Sequence, residues 1–291
     1  MTRRFLVLVN PAAGGGSALK RLPAALAELD RRSAPHRMVE TRSLEHAAQE
    51  ASAAAKAGET VAALGGDGFV RSVASALCHC EAALAILPGG RGNDLARALG
   101  VPTEPGAAAR NAVEGRDRMI DVPEVDGTPY LGIASFGFDS DANRIANEAK
   151  LVRGNLVYLY AALRALASWR PARFSVTVDG EHYESTGYSV AIANSPAYGG
   201  GMFLAPDAEL DDGEVDVVMI SSTSKLRFLR SLPKVFKGTH VRSPNVHVHR
   251  GSVVQVAADR PFEIYADGDP VGSLPATVRV RPRCLRVIVP R

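Results

Sequence analysis

Apolar runs of about five residues alternate with longer amphipathic stretches along the first 100 residues. The runs that predict strands are FLVLV (5–9), which suits a buried strand, HRMVE (36–40), TVAAL (60–64) and ALAILP (83–88). The stretches that predict helices are about 17–30, 43–58, 69–79 and 94–99, with Ser17 and Ser43 as candidate N-caps. Strands that alternate with helices predict a parallel α/β sheet, in which ligands lie at the carboxyl ends of the strands.

The pattern changes after Val101-Pro102, where a connection carrying one helix leads into many short alternating runs. The runs that predict strands are YLGIASFGF, RFSVTVDG, GYSVAIAN, GEVDVVMI, NVHVH, SVVQVAA, FEIYADGD, ATVRV and CLRVIVP. Helical patterns interrupt them at roughly 155–168 and 224–237. We therefore predict an α/β domain over 1–124, completed by the segment 281–291, and an antiparallel β-sandwich domain over 125–280.

Composition limits the class of protein. The 291 residues are 46% hydrophobic and 22% charged, which is typical of a folded globular chain. No stretch approaches the roughly 20 apolar residues of a membrane span, and the net charge of +3 comes without the basic, aromatic-rich runs of nucleic-acid binding. Three cysteines without CxxC spacing favour a reducing compartment over a disulfide framework, so a cytoplasmic location is expected.

Three glycine-bearing turns follow predicted strands. They are NPAAGGGS (10–17), GGDG (65–68) and PGGRGND (88–94). Glycine lets backbone N–H groups approach an anion, and the following helix N-terminus favours negative charge. Each turn alone is equally compatible with a tight connection, and none matches the dinucleotide or Walker spacing. Three such turns at one end of a parallel sheet predict a shared phosphate-binding crevice.

Carboxylates cluster at two turns of the second half. The segment APDAELDDGEVD (205–216) could supply the oxygen ligands that Mg²⁺ prefers, or could be a solvated hairpin. In YADGDPVG (265–272), Asp267 and Asp269 are each compatible with a turn-forming role and with a general base.

Taken in order, these motifs resemble the diacylglycerol kinase catalytic family, which includes bacterial soluble lipid kinases and sphingosine kinases. The motifs that carry the resemblance are NPxxGGG near the start, GGDG at 65–68, GxGNDxAR at 90–97, FGFD at 136–139, PDAxLDDGxxD at 206–216 and DGD at 267–269. GGDG alone is not specific, because NAD kinases share it on a related fold.

The resemblance implies an ATP-dependent lipid kinase of two domains, with the nucleotide in the cleft between them. The residues expected around ATP are Asn10, Gly14, Gly15, Thr41, Gly65, Gly66, Asp67, Gly68, Phe69, Arg71, Arg91, Asn93 and Asp94. Asp67 is expected to organise Mg²⁺ and water at the phosphates. A structural Mg²⁺ would fall on Glu209, Asp212 and Glu214, with the two glutamates contributing backbone oxygens. The proton acceptor would be Asp269 or Asp267.

The chain departs from the family pattern at several of these positions. Phe69, Arg71 and Ser72 stand where Thr, Asn and Glu are usual, and Arg91 stands where Thr is usual. Phe69 offers no hydroxyl, whereas the Arg91 guanidinium is a fork suited to phosphate oxygens. Asp269 replaces a Glu and has a shorter reach.

The expected partner is a lipid at a membrane surface, with diacylglycerol or a related glycerolipid as the substrate. The basic and apolar segment 224–240 is compatible with an anionic interface and with a helix packed on the sandwich. The apolar helix carrying Leu156, Tyr158, Leu159, Tyr160 and Leu163 is likewise compatible with core packing and with a lipid channel. The alternatives are a non-catalytic nucleotide- or lipid-binding homologue and a soluble kinase of NAD kinase type. The oligomeric state is open, a homodimer included.

Overall fold

The structure is a computed structural model, and it describes residues 3–148, 156–199 and 201–291. The chain divides into two compact units. The first comprises residues up to Val122 together with Arg281–Arg291, and the second comprises Pro123–Val280.

The first unit contains a parallel sheet with helices in the connections. Its elements are β1 (Phe5–Val9), α1 (Ser17–Arg31), β2 (His36–Glu40), α2 (Leu44–Lys56), β3 (Thr60–Gly65), α3 (Asp67–Leu77), β4 (Leu84–Pro88), α4 (Asp94–Ala98) and α5 (Pro105–Glu114). The order of the parallel strands is β4-β3-β1-β2. Every residue of β1, β3 and β4 is buried, as expected of parallel strands with helices on both faces.

The helix boundaries test the two predicted N-caps. Ser43 is the N-cap of α2, and its Oγ accepts a hydrogen bond from His46 N at 3.0 Å, so that prediction is confirmed. The Ser17 prediction is wrong. The residue before α1 is Gly16, in the left-handed conformation at φ 87°, and the Ser17 hydroxyl instead accepts a hydrogen bond from Arg21 Nε.

The second unit is built from antiparallel strands and α-helices. Its elements are β5 (Arg116–Val125), which enters from the first unit, β6 (Thr128–Pro129), β7 (Ile133–Gly137), α6 (Phe138–Glu148), α7 (Leu156–Ser168), β8 (Ala172–Val178), β9 (Glu181–Ala193), β10 (Val215–Ser221), α8 (Lys225–Val235), β11 (Val246–Gly251), β12 (Val253–Ala258), β13 (Glu263–Ala266), β14 (Asp269–Ser273) and β15 (Ala276–Val289).

The long strand β9 joins two parts of this unit. Its first half, up to Gly187, pairs with β8, and its second half pairs with β7 on one edge and β10 on the other. The core between these layers is rich in aromatic rings, including a T-shaped contact of Phe138 with Trp169 and stacking of Tyr188 on Phe228. The prediction of a parallel α/β sheet followed by an antiparallel sandwich is confirmed.

Two elements differ from the sequence-based predictions. The residues after SFG form helix α6, which was not predicted, because Phe138 continues an apolar alternation and so resembles the end of a strand. ATVRV and CLRVIVP were predicted as two strands but form one, β15. Its start pairs with β12 antiparallel, and Val287 pairs with Leu84 of β4 in parallel. The start of the helix predicted at 155–168 lies outside the described residues.

The cysteine prediction is also wrong, since Cys78 and Cys284 are joined in a disulfide and Cys80 is free. The pair is separated by 206 residues, and the fold brings them together because β15 returns to the first unit. Among the helices of the described residues, none combines the length and the apolar character that crossing a bilayer requires.

Candidate functional site

Backbone contacts between glycines bring the three predicted turns of the first unit together. Gly89 N donates a hydrogen bond to Gly65 O at 2.8 Å. A Cβ placed on Gly90 would lie 2.5 Å from the Cα of Gly66, and one placed on Gly14 would lie 2.7 Å from Gly89 O. Side chains at these positions would force the loops apart. The predicted convergence of the three turns is therefore present in the structure.

Asp67, at the start of α3, links the second turn to the third. Its Oδ2 accepts a hydrogen bond from Asn93 N at 2.8 Å, and its Oδ1 accepts one from Asp94 N at 2.7 Å. This carboxylate therefore positions the GND turn. The expected role of Asp67 toward Mg²⁺ and water stays a prediction.

Asn93 fixes the shape of the third turn. Its Oδ1 accepts a hydrogen bond from Gly90 N at 2.9 Å, and its Nδ2 donates one to Gly90 O at 3.0 Å. Its backbone is in the left-handed region at φ 51°, which Asn tolerates better than most residues. The asparagine therefore organises the loop with its side chain and its backbone.

The first turn is held in a similar way. Asn10 Oδ1 accepts a hydrogen bond from Ala12 N, and Gly14, Gly15 and Gly16 all have positive φ. A Cβ on Gly15 would meet no atom within 4 Å, so open space lies beside this turn. Thr41 is 6% exposed, and its hydroxyl donates to Val9 O at 3.0 Å. The Thr41 side chain thus supports the end of β1.

Phe69 lies in the first turn of α3, where the initial backbone N–H groups have no acceptor inside the helix. Its side chain is 3% exposed and packs against Gly65, where an added Cβ would lie 2.4 Å from the ring. The side chain therefore belongs to the core, and only the backbone amide of Phe69 is suited to meet an anion.

The two arginines differ in setting. Arg91 is exposed at the tip of the third turn, while Arg71 is half-buried on α3. Ser72, which stands in place of a family Glu, donates its hydroxyl to Leu44 O at 2.8 Å. A contact of either arginine with a nucleotide stays a prediction.

In the second unit, Asp267 is bound by backbone amides. Its oxygens accept hydrogen bonds from Leu131 N at 2.8 Å, Gly132 N at 2.8 Å and Ile133 N at 3.3 Å. Its backbone adopts φ 53°, within the turn that joins β13 to β14. Since three donors engage this carboxylate, its geometry fits a structural role.

Asp269 is placed differently from Asp267. It is the first residue of β14, pairs with Ala266 in the β13–β14 hairpin, and is half-buried. Its assignment as proton acceptor stays a prediction.

The acidic turn before β10 carries the predicted structural metal ligands Glu209, Asp212 and Glu214. Among the described residues, no group of three or more Asp, Glu, His or Cys side chains is arranged to hold a metal ion. Instead, the guanidinium of Arg250 contacts Asp212 Oδ2 directly and lies 3.4 Å from Glu214 Oε2. The Asp212 carboxylate is therefore engaged by an arginine, and the metal assignment, in which the two glutamates would contribute backbone oxygens, stays a prediction.

A cavity of about 230 Å³ lies inside the second unit, beneath α8. Most of its lining is apolar, and includes Phe138, Met202, Leu204, Phe228, Leu232 and Val235. Apolar cavities of roughly 150 Å³ already hold a molecule as large as benzene. This cavity can therefore accommodate part of an aliphatic chain.

Two ionisable side chains line the same cavity. Asp139 Oδ2 and His240 Nδ1 are sealed from solvent and have no hydrogen-bond partner among the described residues. Burial raises the pKa of Asp139 to about 6. Burial also lowers the pKa of His240, whose Nε2 lies 3.0 Å from Leu204 O. Because a carbonyl only accepts, Nε2 carries the proton and Nδ1 presents a lone pair.

Sequence reasoning missed several of these groups. Asn194, which is fully buried, donates from Nδ2 to Leu131 O and so supports the loop that binds Asp267. His240 and Arg250 were not singled out either. Both lie in segments without a motif, and their partners are 36 and 38 residues away in sequence. A local pattern contains no signal for such contacts.

Comparisons with known proteins give the same family along the whole chain. Residues 4–125 match the model of the diacylglycerol kinase catalytic domain, and residues 132–289 match that of the YegS C-terminal NAD kinase beta sandwich-like domain. A diacylglycerol kinase from Mycobacterium tuberculosis (strain ATCC 25618 / H37Rv) is 35% identical, over 99% of this chain and 96% of the relative. A diacylglycerol kinase from Bacillus subtilis (strain 168) is 26% identical, over 99% and 97%.

A solved structure shows the same fold. The crystal structure of a diacylglycerol kinase from Bacillus anthracis str. Sterne superposes with a TM-score of 0.77 at 20% identity, covering 99% of this chain and 97% of that one. With the sequence relatives, this places the chain in the diacylglycerol kinase family of lipid kinases, and it belongs to that family. The resemblance predicted from the motifs is confirmed.

Proposed function

We propose that this protein transfers the γ-phosphoryl group of ATP to the hydroxyl of a lipid, with diacylglycerol as the substrate. The observation that carries the proposal is the convergence of three glycine turns in the first unit, in a chain whose family is that of diacylglycerol kinases. Phosphoryl transfer requires positioning and charge neutralisation more than covalent chemistry. Backbone amides held by rigid loops suit that requirement.

The nucleotide would be bound mainly by backbone groups. The first-turn amides of α3 and the glycine turn 14–16 are suited to phosphate oxygens. Asp67 and Asn93 would hold the loops that present these amides, and Arg91 would add a guanidinium. Mg²⁺ bound together with ATP supplies neutralisation of the phosphate charge during transfer.

In the transfer step, the lipid hydroxyl oxygen would form a bond to the γ-phosphorus while the bond from that phosphorus to the β–γ bridging oxygen breaks. The hydroxyl proton would pass to a carboxylate, for which we propose Asp269. The engagement of Asp267 by backbone amides supports this choice, because those bonds occupy the carboxylate in a structural role.

The lipid chain would lie in the apolar cavity beneath α8. Its lining includes Phe138 of α6 and Phe228, Leu232 and Val235 of α8. Phe236, which follows the helix, also lines it and is 56% exposed. An exposed aromatic ring at a cavity wall is compatible with a lipid chain entering there.

Helix α8 also supports peripheral contact with a membrane. Leu226 is 58% exposed beside basic residues of the same helix. Those basic residues are Lys225, Arg227, Arg230 and Lys234. A helix with exposed apolar residues among lysines and arginines suits an anionic bilayer surface.

A lipid panel tests the proposal. The purified protein is incubated with Mg²⁺, γ-labelled ATP and vesicles containing diacylglycerol, monoacylglycerol, phosphatidylglycerol or sphingoid bases, and NAD is tested separately. We expect labelled phosphatidic acid from diacylglycerol. Label on NAD and none on any lipid would refute the proposal in favour of an NAD kinase. Binding of ATP without any product would point to a non-catalytic homologue.

A further inference from the structure

The acidic turn of the second unit concentrates negative charge. Between residues 207 and 216 the chain carries six carboxylates, at Asp207, Glu209, Asp211, Asp212, Glu214 and Asp216. Like charges this close repel one another, most strongly where water is excluded. Asp216 is only 4% exposed. A positive group beside the turn would therefore stabilise it.

Strand pairing supplies such a group. The antiparallel register of β10 and β11 sets Arg250 opposite Asp216. From there the guanidinium reaches along the turn, with Nε 3.9 Å from Asp216 Oδ2 and Nη2 3.4 Å from Glu214 Oε2. Nη2 also contacts Asp212 Oδ2 directly. One side chain thus meets three carboxylates.

Asp212 is the only one of the three resemblance-based ligands expected to bind Mg²⁺ through its side chain, and its carboxylate is already engaged. Oδ1 accepts a hydrogen bond from Glu214 N at 3.0 Å, and Oδ2 binds Arg250. A guanidinium has a permanent positive charge and donors in a fixed fork, so it can bridge several carboxylates as a metal cation would.

We propose that Arg250 provides in this chain the positive charge that the family resemblance assigns to a structural Mg²⁺ at residues 209–214. The turn then keeps its conformation without a divalent cation. The Mg²⁺ that accompanies ATP is a separate ion, so this proposal stands or falls independently of the proposed kinase activity.

Thermal unfolding of the nucleotide-free, full-length protein tests this proposal, with either a chelator or millimolar Mg²⁺ present. We expect the Tm of the wild type to be the same in both conditions. Arg250→Ala should lower the Tm in chelator by roughly 2–4 °C, as for a loss of about 1 kcal/mol, and Mg²⁺ should restore part of that loss. Arg279→Ala removes an exposed arginine from a strand of the same unit and is the matched control.

A direct count of bound ions keeps the test decisive if Arg250→Ala folds poorly. Bound Mn²⁺ is counted by electron paramagnetic resonance in the nucleotide-free wild type, in Arg250→Lys and in Asp212→Asn. We expect no tightly bound Mn²⁺ in any of these three proteins. One tight Mn²⁺ in the wild type that Asp212→Asn removes would overturn the proposal.

Discussion

The two units of this protein differ in how their candidate functional groups are positioned. In the first unit, the candidate nucleotide site is made of backbone at the ends of adjacent parallel strands, as at Gly66 and Gly90. In the second, the groups of interest are side chains from distant segments, such as Asp139 and His240 in one cavity. A backbone site depends on short glycine motifs, whereas a side-chain site depends on the whole sandwich. The backbone site could therefore be predicted from the sequence, whereas the side-chain site could not.

The largest expected effect concerns the proton acceptor of the second unit. Asp269→Ala should lower kcat by roughly 10²–10⁴-fold, which is the usual contribution of a general base, and leave ATP binding unchanged. Turnover with diacylglycerol and the Kd for ATP are measured on the same preparation.

The matched variant is Asp267→Asn, which should weaken the bonds to the amides of 131–133 and so lower the Tm. If Asp269→Ala retained the wild-type rate while Asp267→Asn lost turnover with an unchanged Tm, the proton acceptor would be Asp267.

A smaller effect is expected from one added methyl group in the first unit. Gly90→Ala would bring a Cβ to 2.5 Å from Gly66 Cα, so the two turns must separate. Overpacking costs about 1–3 kcal/mol of stability, and because the displaced loops are those proposed to bind the phosphates, we expect ATP binding to weaken by about 1 kcal/mol or more, which is roughly a fivefold or larger fall in affinity. Calorimetric titration with ATP measures it.

Gly106→Ala is the control, because its Cβ would only approach the Glu104 carboxylate at 3.4 Å. Equal ATP affinity in both variants would show that the glycine contacts do not shape the nucleotide site.

The smallest of these effects is a pH dependence of stability. Because the pKa of Asp139 is raised to about 6, the folded state retains a proton that the unfolded state releases. Ionisation of this group therefore lowers the free energy of unfolding, by up to about 3 kcal/mol, as the pH rises from about 4 to above 6.

Urea unfolding at pH 5 and pH 7.5 measures this dependence in wild type and Asp139→Asn. Between these two pH values, the free energy of unfolding of the wild type should fall by about 1 kcal/mol more than that of the variant. Identical pH profiles for the two proteins would show that Asp139 titrates normally and is not sealed in the cavity.

Much of the fold could be predicted because its signals are local. The runs at 5–9, 36–40 and 60–64 are strands β1, β2 and β3, and Ser43 caps α2 as its position suggests. Strands β1 and β3 are fully buried and are continuous apolar runs, which a single sequence shows directly.

The errors have physical causes of two kinds. Helix α6 begins at Phe138, where an apolar residue suits the strand before it and the helix after it equally well. The disulfide of Cys78 with Cys284 and the bridge from Arg250 to Asp212 join residues far apart in sequence. Only the tertiary fold decides such contacts, and no local spacing encodes them.

Filling the cavity tests most directly the proposal that the first unit binds the nucleotide through backbone groups and that the second binds the lipid chain among apolar side chains. Ser231→Trp places an indole at the cavity wall on α8, far in sequence from every glycine turn. The Michaelis constants for diacylglycerol and for ATP are measured with this variant. We predict that the KM for diacylglycerol rises at least tenfold, to an extent that increases with acyl-chain length, while the KM for ATP is unchanged. An unchanged KM for diacylglycerol in a folded variant would contradict the account.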